Sequence, residues 1–418
     1  MSTSVLRTFV FASVLLCAVQ LGAEDWPRWR GPRGDGTWSA PNISDKWPDK
    51  GLRQVWKAEI GGGYAGVTVA GGRVYVLDRQ REPEEVERVL CFDGGSGERI
   101  WAHAYPAEYG NLDYGSGPRA AATVEGERVY TVGALGHVHC LDAASGKVLW
   151  DCHLQDDFGG RLPMWGYAGS AFIAGELVIL LPGGAKDASI VALEKRTGRI
   201  VWSSLSDEPG YATPILIDVD GDQQLICWTA ENVRALDPAT GRLLWTVPYK
   251  VTYGVAIATP VYHRGVVLVS GYWEGSKAIR PGRNGGEAEL LWEENRYLRG
   301  LMSQPLCRGD HVYLLDKQYG VTCFELKTGR KRWDDKNTAT PRGRNPQASL
   351  VRLGDSERVL LLNAEGELIL AELTPDGYRE HARAAVIGRT WAHPGYAGSR
   401  VYARSDEELV CVELPVAE

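Results

Sequence analysis

No two cysteines adjoin in this 418-residue chain and no pair is separated by only two residues. The Cys-x-x-Cys patterns of zinc ribbons, thioredoxin-type redox sites and covalent haem attachment are therefore absent. The eight histidines fall into no metal-ligand spacing; His137 and His139 share one face of a strand, but no third ligand lies nearby in sequence. Neither a GxSxG elbow nor an HExxH helix occurs, and glycine pairs such as Gly183-Gly184 lack the strand-to-helix context of a phosphate loop. Hydrolase or lyase chemistry thus has no motif behind it. The net charge is −7 with acids and bases dispersed, so the clustered basic footprint of a nucleic-acid binder is missing. The densest charged stretch, residues 79–88, reads as a solvated hairpin loop.

What the chain has is a repeat. Cys91-Asp93-Gly97-Trp101, Cys140-Asp142-Gly146-Trp150, Ala192-Glu194-Gly198-Trp202, Ala235-Asp237-Gly241-Trp245 and Cys323-Glu325-Gly329-Trp333 share one spacing of 2, 4 and 4. Each copy reads as a strand, a tight turn and a second strand, with the acid bonding its own turn and glycine supplying a positive φ. The closing tryptophan is the anchor: burying its roughly 150–250 Å² contributes about 4–6 kcal/mol gross. Because Cys91, Cys140 and Cys323 stand where Ala192 and Ala235 stand elsewhere, and Cys411 falls on the corresponding last strand, these cysteines read as small core fillers.

A second strand pair precedes each hairpin, giving four strands per repeat. Trp56 and Trp292 keep the same rhythm, and the steps from Trp56 through Trp101, Trp150, Trp202, Trp245 and Trp292 to Trp333 are 45, 49, 52, 43, 47 and 41 residues. Such periods mean propeller blades. A further unit follows Trp333, with its tryptophan lost near His381, and a partial unit stops one strand short at Glu418. The segment ending at Trp56 supplies the missing strand. The sequence predicts an all-β, eight-bladed β-propeller of four-stranded blades over residues 51–418, its last blade closed by the N-terminal strand so that no sheet edge is left between the termini.

Residues 1–23 read as a signal peptide, with Arg7 before an apolar run and a small residue, Ala23, at the cleavage point. The run is too short for an ordinary membrane span, so no transmembrane segment is expected in the mature chain, and Leu16 precedes Cys17 where lipoprotein signals carry a small residue. Cleavage leaves seven cysteines, an odd number. The expected location is periplasmic or extracellular. Residues 24–50, with Trp26, Trp29 and Trp38 among prolines and glycines, read as an arm packed over one face of the propeller, its tryptophans in inter-blade grooves.

Loops entering the innermost strands of a propeller converge on its channel. The positions just ahead of each blade give a candidate ligand-binding ring of Tyr64, Arg119, Tyr167, Tyr211, Val255, Arg299, Arg344 and Tyr396, with Trp165, Tyr253, Trp391 and His393 close by in sequence. Aromatic faces and guanidinium forks suit a planar or anionic ligand. The alternative is structural: Gly-Tyr-Ala is a turn whose tyrosine packs on a neighbouring blade, and the arginines pair with nearby acids. Asp218, Asp220 and Asp222 form an oxygen-rich calcium candidate, but Gln223 and Thr229 stand where an EF-hand loop needs Gly and Glu. An Asp-Gly hairpin turn explains the cluster more simply.

The Trp-ended hairpin resembles the tryptophan-docking repeat of the PQQ-like propellers, and the resemblance covers nearly all of residues 24–418. That superfamily includes quinoprotein alcohol dehydrogenases, which use pyrroloquinoline quinone (PQQ), and non-enzymatic BamB-like members of the outer-membrane β-barrel assembly machinery. The repeat implies the fold and is silent on activity. The dehydrogenases resemble one another in a vicinal disulfide over the quinone and a calcium held by carboxylate and amide groups beside a catalytic Asp; the disulfide has no counterpart here and no catalytic residue can be carried over. The expectation is an exported binding or scaffolding protein of the cell envelope, acting as a monomer on envelope proteins or on a small anionic or planar ligand. A PQQ-dependent oxidoreductase with a divergent channel site is the alternative.

Overall fold

The computed structural model describes residues 24–283 and 285–417. The expected signal peptide and Cys17 lie outside the described residues.

Eight four-stranded antiparallel sheets follow one another as blades. Blades 1 to 7 span residues 68–106, 123–153, 172–204, 215–248, 261–294, 306–334 and 348–385. Blade 8 joins strands Gly395–Ala397, Arg400–Arg404 and Glu408–Glu413 to Arg53–Glu59, which pairs antiparallel with the last of them, Trp56 opposite Cys411. The ring is thus closed by sheet hydrogen bonds between the two ends of the chain, as the repeat count predicts.

Inside each blade one cross-strand row fixes the register. In blade 1 it runs Thr68, Tyr75, Cys91, Trp101 from channel to rim, with a bulge after the Cys91–Trp101 pair. Cys91, Cys140, Cys323 and Cys411 occupy this row fully buried and unbridged. Between blades each tryptophan docks on the hairpin of the next. The indole N–H of Trp101 donates to Ala143 O at 3.1 Å, and those of Trp56, Trp150, Trp202 and Trp292 reach the same turn position in their neighbours, the residue after the acid. The ring lies against the turn glycine: a Cβ on Gly146 would stand 2.6 Å from Trp101, and Gly97, Gly198, Gly241 and Gly329 are covered likewise. The repeated glycine therefore meets two demands, a positive φ and a surface flat enough for an indole.

Two departures have local causes. The hairpin of blade 5 is longer, and Trp245 reaches it through a relay, donating to Gln224 Oε1 at 2.7 Å while Gln224 Nε2 donates to Gly282 O at 2.8 Å. Blade 7 has Ala382 in the tryptophan row. Its neighbour is blade 8, whose outer two strands come from opposite ends of the chain and have no connecting hairpin to dock on. Chain from the arm fills that place: Arg358 donates to Ile43 O and Asp45, Ile43 bridges Val416, and the His381 ring lies 3.8 Å from the Asp45 carboxylate.

Around the channel the blades are linked in a full circle. Thr68 donates to Ala122 O, Thr123 to Ala171 O, Ser170 N to Thr213 Oγ1, Tyr211 N to Ala256 O and Thr259 N to Gln304 Oε1. Ser303 Oγ donates to Gln347 Oε1, Gln347 Nε2 meets His393 Nε2 at 3.1 Å, and Val67 N donates to His393 O.

The arm packs across one end of the channel, where the inner strands still have unpaired backbone groups to offer; Trp26 and Trp38 sit in the core between blades 7, 8 and 1, and Trp29 lines the channel. Val69 N donates to Trp26 O and Val124 N to Pro27 O, Arg30 donates to Pro305 O, and Thr37–Trp38 add a parallel strand to blade 7. Trp26 and Trp38 are buried against Tyr396, and the Trp29 indole N–H donates to Thr259 Oγ1 at 2.8 Å. One end of the channel is stoppered.

The charged stretch at 79–88 also differs from expectation. Residues 81–85 alone form the loop, and the strands continue to Gln80 and from Val86. Glu87 is fully buried, its carboxylate accepting from the Tyr105 and Tyr109 hydroxyls and from Ala134 N in the next blade. Three donors satisfy a charge that burial would otherwise make costly.

Candidate functional site

Stoppering one end turns the channel into a cup of about 640 Å³, within the usual range of small-molecule sites. Strand geometry sets its layers. Four residues ahead of the inner-strand member of the tryptophan row, blades 1 to 8 place Tyr64, Arg119, Ala168, Tyr211, Ile257, Met302, Gln347 and Trp391, and all eight line the cup. Two residues further on, the chain returns to the same side, and Ser170, Thr213, Thr259, Gln304 and His393 line a deeper layer above Trp29, the floor. Thr213 Oγ1 accepts from Ser170 N and Thr259 Oγ1 from Trp29. Neither hydroxyl donates to a group among the described residues, so each has its proton free toward the cup.

Of the ring expected from sequence, Tyr64, Arg119, Tyr211, Val255 and Arg344 line the cup, as do Trp165, Tyr253, Trp391 and His393. Three do not. Tyr167 stands one residue ahead of the ring position, Ala168, and turns into the blade 2–3 core, where its one hydroxyl proton is shared between Arg161 O and Pro182 O, each 3.0 Å away. Tyr396 lies within an inner strand, five residues past the true ring member Trp391, and is buried against the arm. Arg299 stands three residues before Met302 and pairs with the buried Asp316. The Gly-Tyr-Ala motif misled because the same three letters occur at three registers. The cross-strand pairing that separates them is not visible in the letters.

The mouth is aromatic. Tyr114 contacts Trp391 and Trp165, Trp165 contacts Tyr211 and Tyr253, and Tyr253 leads through Trp273 to Tyr272. Tyr272 donates to Arg344 O, and Asn345 Nδ2 donates to the Tyr114 hydroxyl at 3.2 Å, which links the loop before blade 2 to the loop before blade 7. Tyr114 holds a φ of 55° in this bridge, a conformation bulky side chains seldom adopt.

The charge of the cup has one sign. Among the described residues no Asp or Glu lines it, while Arg119 and Arg344 do. Arg119 donates only to backbone carbonyls, of Gly117, Asp113 and Tyr114, and burial lowers its pKa; Arg344 has no ion pair among the described residues. Next to Trp29 lies Arg30, 4% exposed and with no ion pair among the described residues, its pKa pushed down to about 10 by burial. Burial, and then the Arg30 charge, lower His393 to about 4, so it is neutral at physiological pH.

Those residues bear on a quinone–calcium centre. The guanidinium groups match the carboxylates of PQQ in charge, but a cup with no Asp or Glu among its described lining residues offers a calcium ion no charged oxygen ligand and offers no carboxylate base. The calcium part does not fit, and no redox step follows from these residues. The aspartate cluster is elsewhere, on the first hairpin of blade 4. Asp218 caps its own turn at Gly221 N, Asp220 pairs with Arg283 at 2.6 Å, and Asp222 accepts from Gln224. Blade packing does bring His103 and His153 to His137 and His139, with ring centroids 4.6–6.5 Å apart. Even so, no group of three or more His, Cys, Asp or Glu among the described residues is placed to hold a metal. No described helix is long and apolar enough to cross a membrane.

An eight-bladed ring with indoles docked on turn glycines defines a PQQ-like repeat propeller. The profile of the family described as outer membrane protein assembly factor BamB matches residues 85–335 and 289–416, and the chain belongs to that family. It is 24% identical over 295 residues to BamB of Shewanella oneidensis, covering 63% of this chain and 70% of that one. It is also 28% identical over 211 residues to the quinoprotein alcohol dehydrogenase PedH of Pseudomonas putida, a match covering 48% of this chain but 31% of PedH. The chain thus matches only about a third of that enzyme's length. BamB from Moraxella catarrhalis superposes with a TM-score of 0.61 at 16% identity, covering 88% of this chain and 99% of that one. The quinohemoprotein alcohol dehydrogenase of Comamonas testosteroni gives 0.65 at 14% identity, covering 94% and 81%. At such identities these two likenesses carry the fold alone.

Proposed function

We propose that this protein is an exported, monomeric binding and scaffolding protein of the cell envelope, and that its channel cup holds a small anionic ligand. The observation that carries the reading is the cup itself: about 640 Å³, aromatic-walled, with Arg119 and Arg344 unpaired and no carboxylate among its described lining residues. Two uncompensated guanidinium groups beside an apolar surface favour an anion, because the ligand supplies the charge the protein withholds. The fold favours binding in the same place, since a ring of inter-blade hydrogen bonds and a stoppered base make a rigid receptacle with no carboxylate among its described lining residues. The relatives named as assembly factors support an envelope location and a further role for the outer surface in meeting envelope proteins.

The test is a fluorescence titration of the purified protein with 8-anilinonaphthalene-1-sulfonate, with displacement by PQQ in the presence and absence of Ca²⁺. Saturable binding that Arg119→Gln and Arg344→Gln both weaken supports the reading. Binding unaffected by either change, or none at all, overturns it. Calcium-dependent PQQ binding with dye reduction on an alcohol would instead establish the oxidoreductase alternative, which the PedH likeness keeps as the second reading.

A further inference from the structure

The shape of the mouth and the polarity of the floor narrow the ligand further. A flat aromatic ligand is held best between two parallel faces. No mouth pair is parallel: the interplanar angles are 39° for Tyr114–Trp391 and 40° for Trp165–Tyr211, and 73° for Tyr114–Trp165, 72° for Trp165–Tyr253, 67° for Tyr253–Trp273 and 80° for Tyr272–Trp273. Walls facing several ways make a box for a thick body with C–H groups on more than one side. Below them the hydroxyls of Thr213 and Thr259 each accept one hydrogen bond and donate none among the described residues, a floor that can donate to hydroxyl or carboxyl oxygens. A pyranose ring has both properties, C–H patches on its faces and oxygens around its edge, and the two unpaired guanidinium groups add the demand for negative charge.

We propose that the cup binds a short acidic saccharide, with ring faces on the aromatic box, carboxylate or sulfate groups on Arg119 and Arg344, and hydroxyls on the threonine floor. The proposal rests on the anionic-ligand reading above and names its class. Arg344 and Trp273 are both exposed, Trp273 at 40%, so replacing either leaves the blades intact. Each also tests a different half of the recognition.

Isothermal titration of the full protein with trigalacturonate, a chondroitin sulfate disaccharide and neutral maltotriose separates carboxylate, sulfate and uncharged sugars. Trigalacturonate or the sulfated disaccharide should bind at least about tenfold more tightly than maltotriose. Arg344→Gln should weaken that binding about ten- to hundredfold, the effect of losing a charge-assisted hydrogen bond, and Trp273→Ala about tenfold. If neither acidic saccharide binds while anilinonaphthalenesulfonate does, the saccharide class is overturned and the anionic site stands. If maltotriose binds as well as its acidic counterparts, the charge argument is wrong. If nothing binds, dye included, both readings fail together.

Discussion

Gly146→Ala isolates the contact that repeats around the ring. The new Cβ would sit 2.6 Å from two atoms of the Trp101 indole, and Gly146 has a φ of 71°. Two costs add: about 1–2 kcal/mol for an L side chain in the left-handed region and about 1–3 kcal/mol for overpacking a close contact. Gly126, also in blade 2, supplies the control, since its φ is 57° and nothing lies within 4 Å of an added Cβ. Gly126→Ala therefore carries the backbone cost alone. With an unfolding entropy of about 2.1 cal/mol/K per residue, each kcal/mol moves the midpoint of a chain this long by about 1 °C. Scanning calorimetry should show a drop of about 2–6 °C for Gly146→Ala and about 1–2 °C for Gly126→Ala. In a Trp101→Ala background the excess should vanish, because the space is then open. Equal losses for the two glycine variants, or an excess that survives removal of Trp101, would refute docking as the reason for glycine in the repeat.

Burial and the neighbouring His103 and His137 depress His139 to about 3, from an ordinary 6.5. The unfolded chain therefore takes up a proton that the folded one refuses: this contribution is intact above about pH 6.5 and is lost as pH falls toward 3, by at most about 1.4 kcal/mol per pH unit. Urea midpoints should fall between pH 6.5 and 5, and His139→Gln should flatten that fall. Tyr105→Phe removes a donor from the buried Glu87 carboxylate and should cost about 1.5–3 kcal/mol in urea denaturation, whereas Tyr378→Phe, whose hydroxyl meets the more exposed Glu380, should cost less. Trp29→Ala removes the floor and its bond to Thr259, and should weaken anilinonaphthalenesulfonate binding in the cup more than it lowers the thermal midpoint.

The blades were legible because their signal is local and redundant. A strand, an Asp-to-Gly turn and an anchoring Trp lie within eleven residues, and seven tryptophans repeat the period, so one irregular copy cannot hide the rest. The cup was half legible for the opposite reason. The ring positions differ from blade to blade, tyrosine in blade 1, arginine in blade 2, alanine in blade 3, and no shared residue marks them. Counting back from the tryptophan row, rather than searching for Gly-Tyr-Ala, would have reached Trp391 instead of Tyr396 and Ala168 instead of Tyr167. The arm was illegible in another sense. Its prolines and glycines say that it forms no regular element, but only the unpaired inner strands at one end of the channel say where it goes.

Blade 7 shows how closure and binding depend on the same segment. Its tryptophan is missing where the adjoining blade has no hairpin to receive it, and Ile43–Asp45 fill the gap through Arg358 and His381. The same stretch of chain, a few residues earlier, sets Trp38 beside blade 7 and Trp29 beneath the cup. The strand that closes the ring at Trp56 follows directly. One N-terminal run from Trp26 to Glu59 thus stoppers the channel, replaces a lost dock and completes the last blade. A propeller closed only by its own repeats would have an open channel at this end. Here the closing strand and the floor belong to one continuous segment, so the same run of chain closes the ring and bounds the cup.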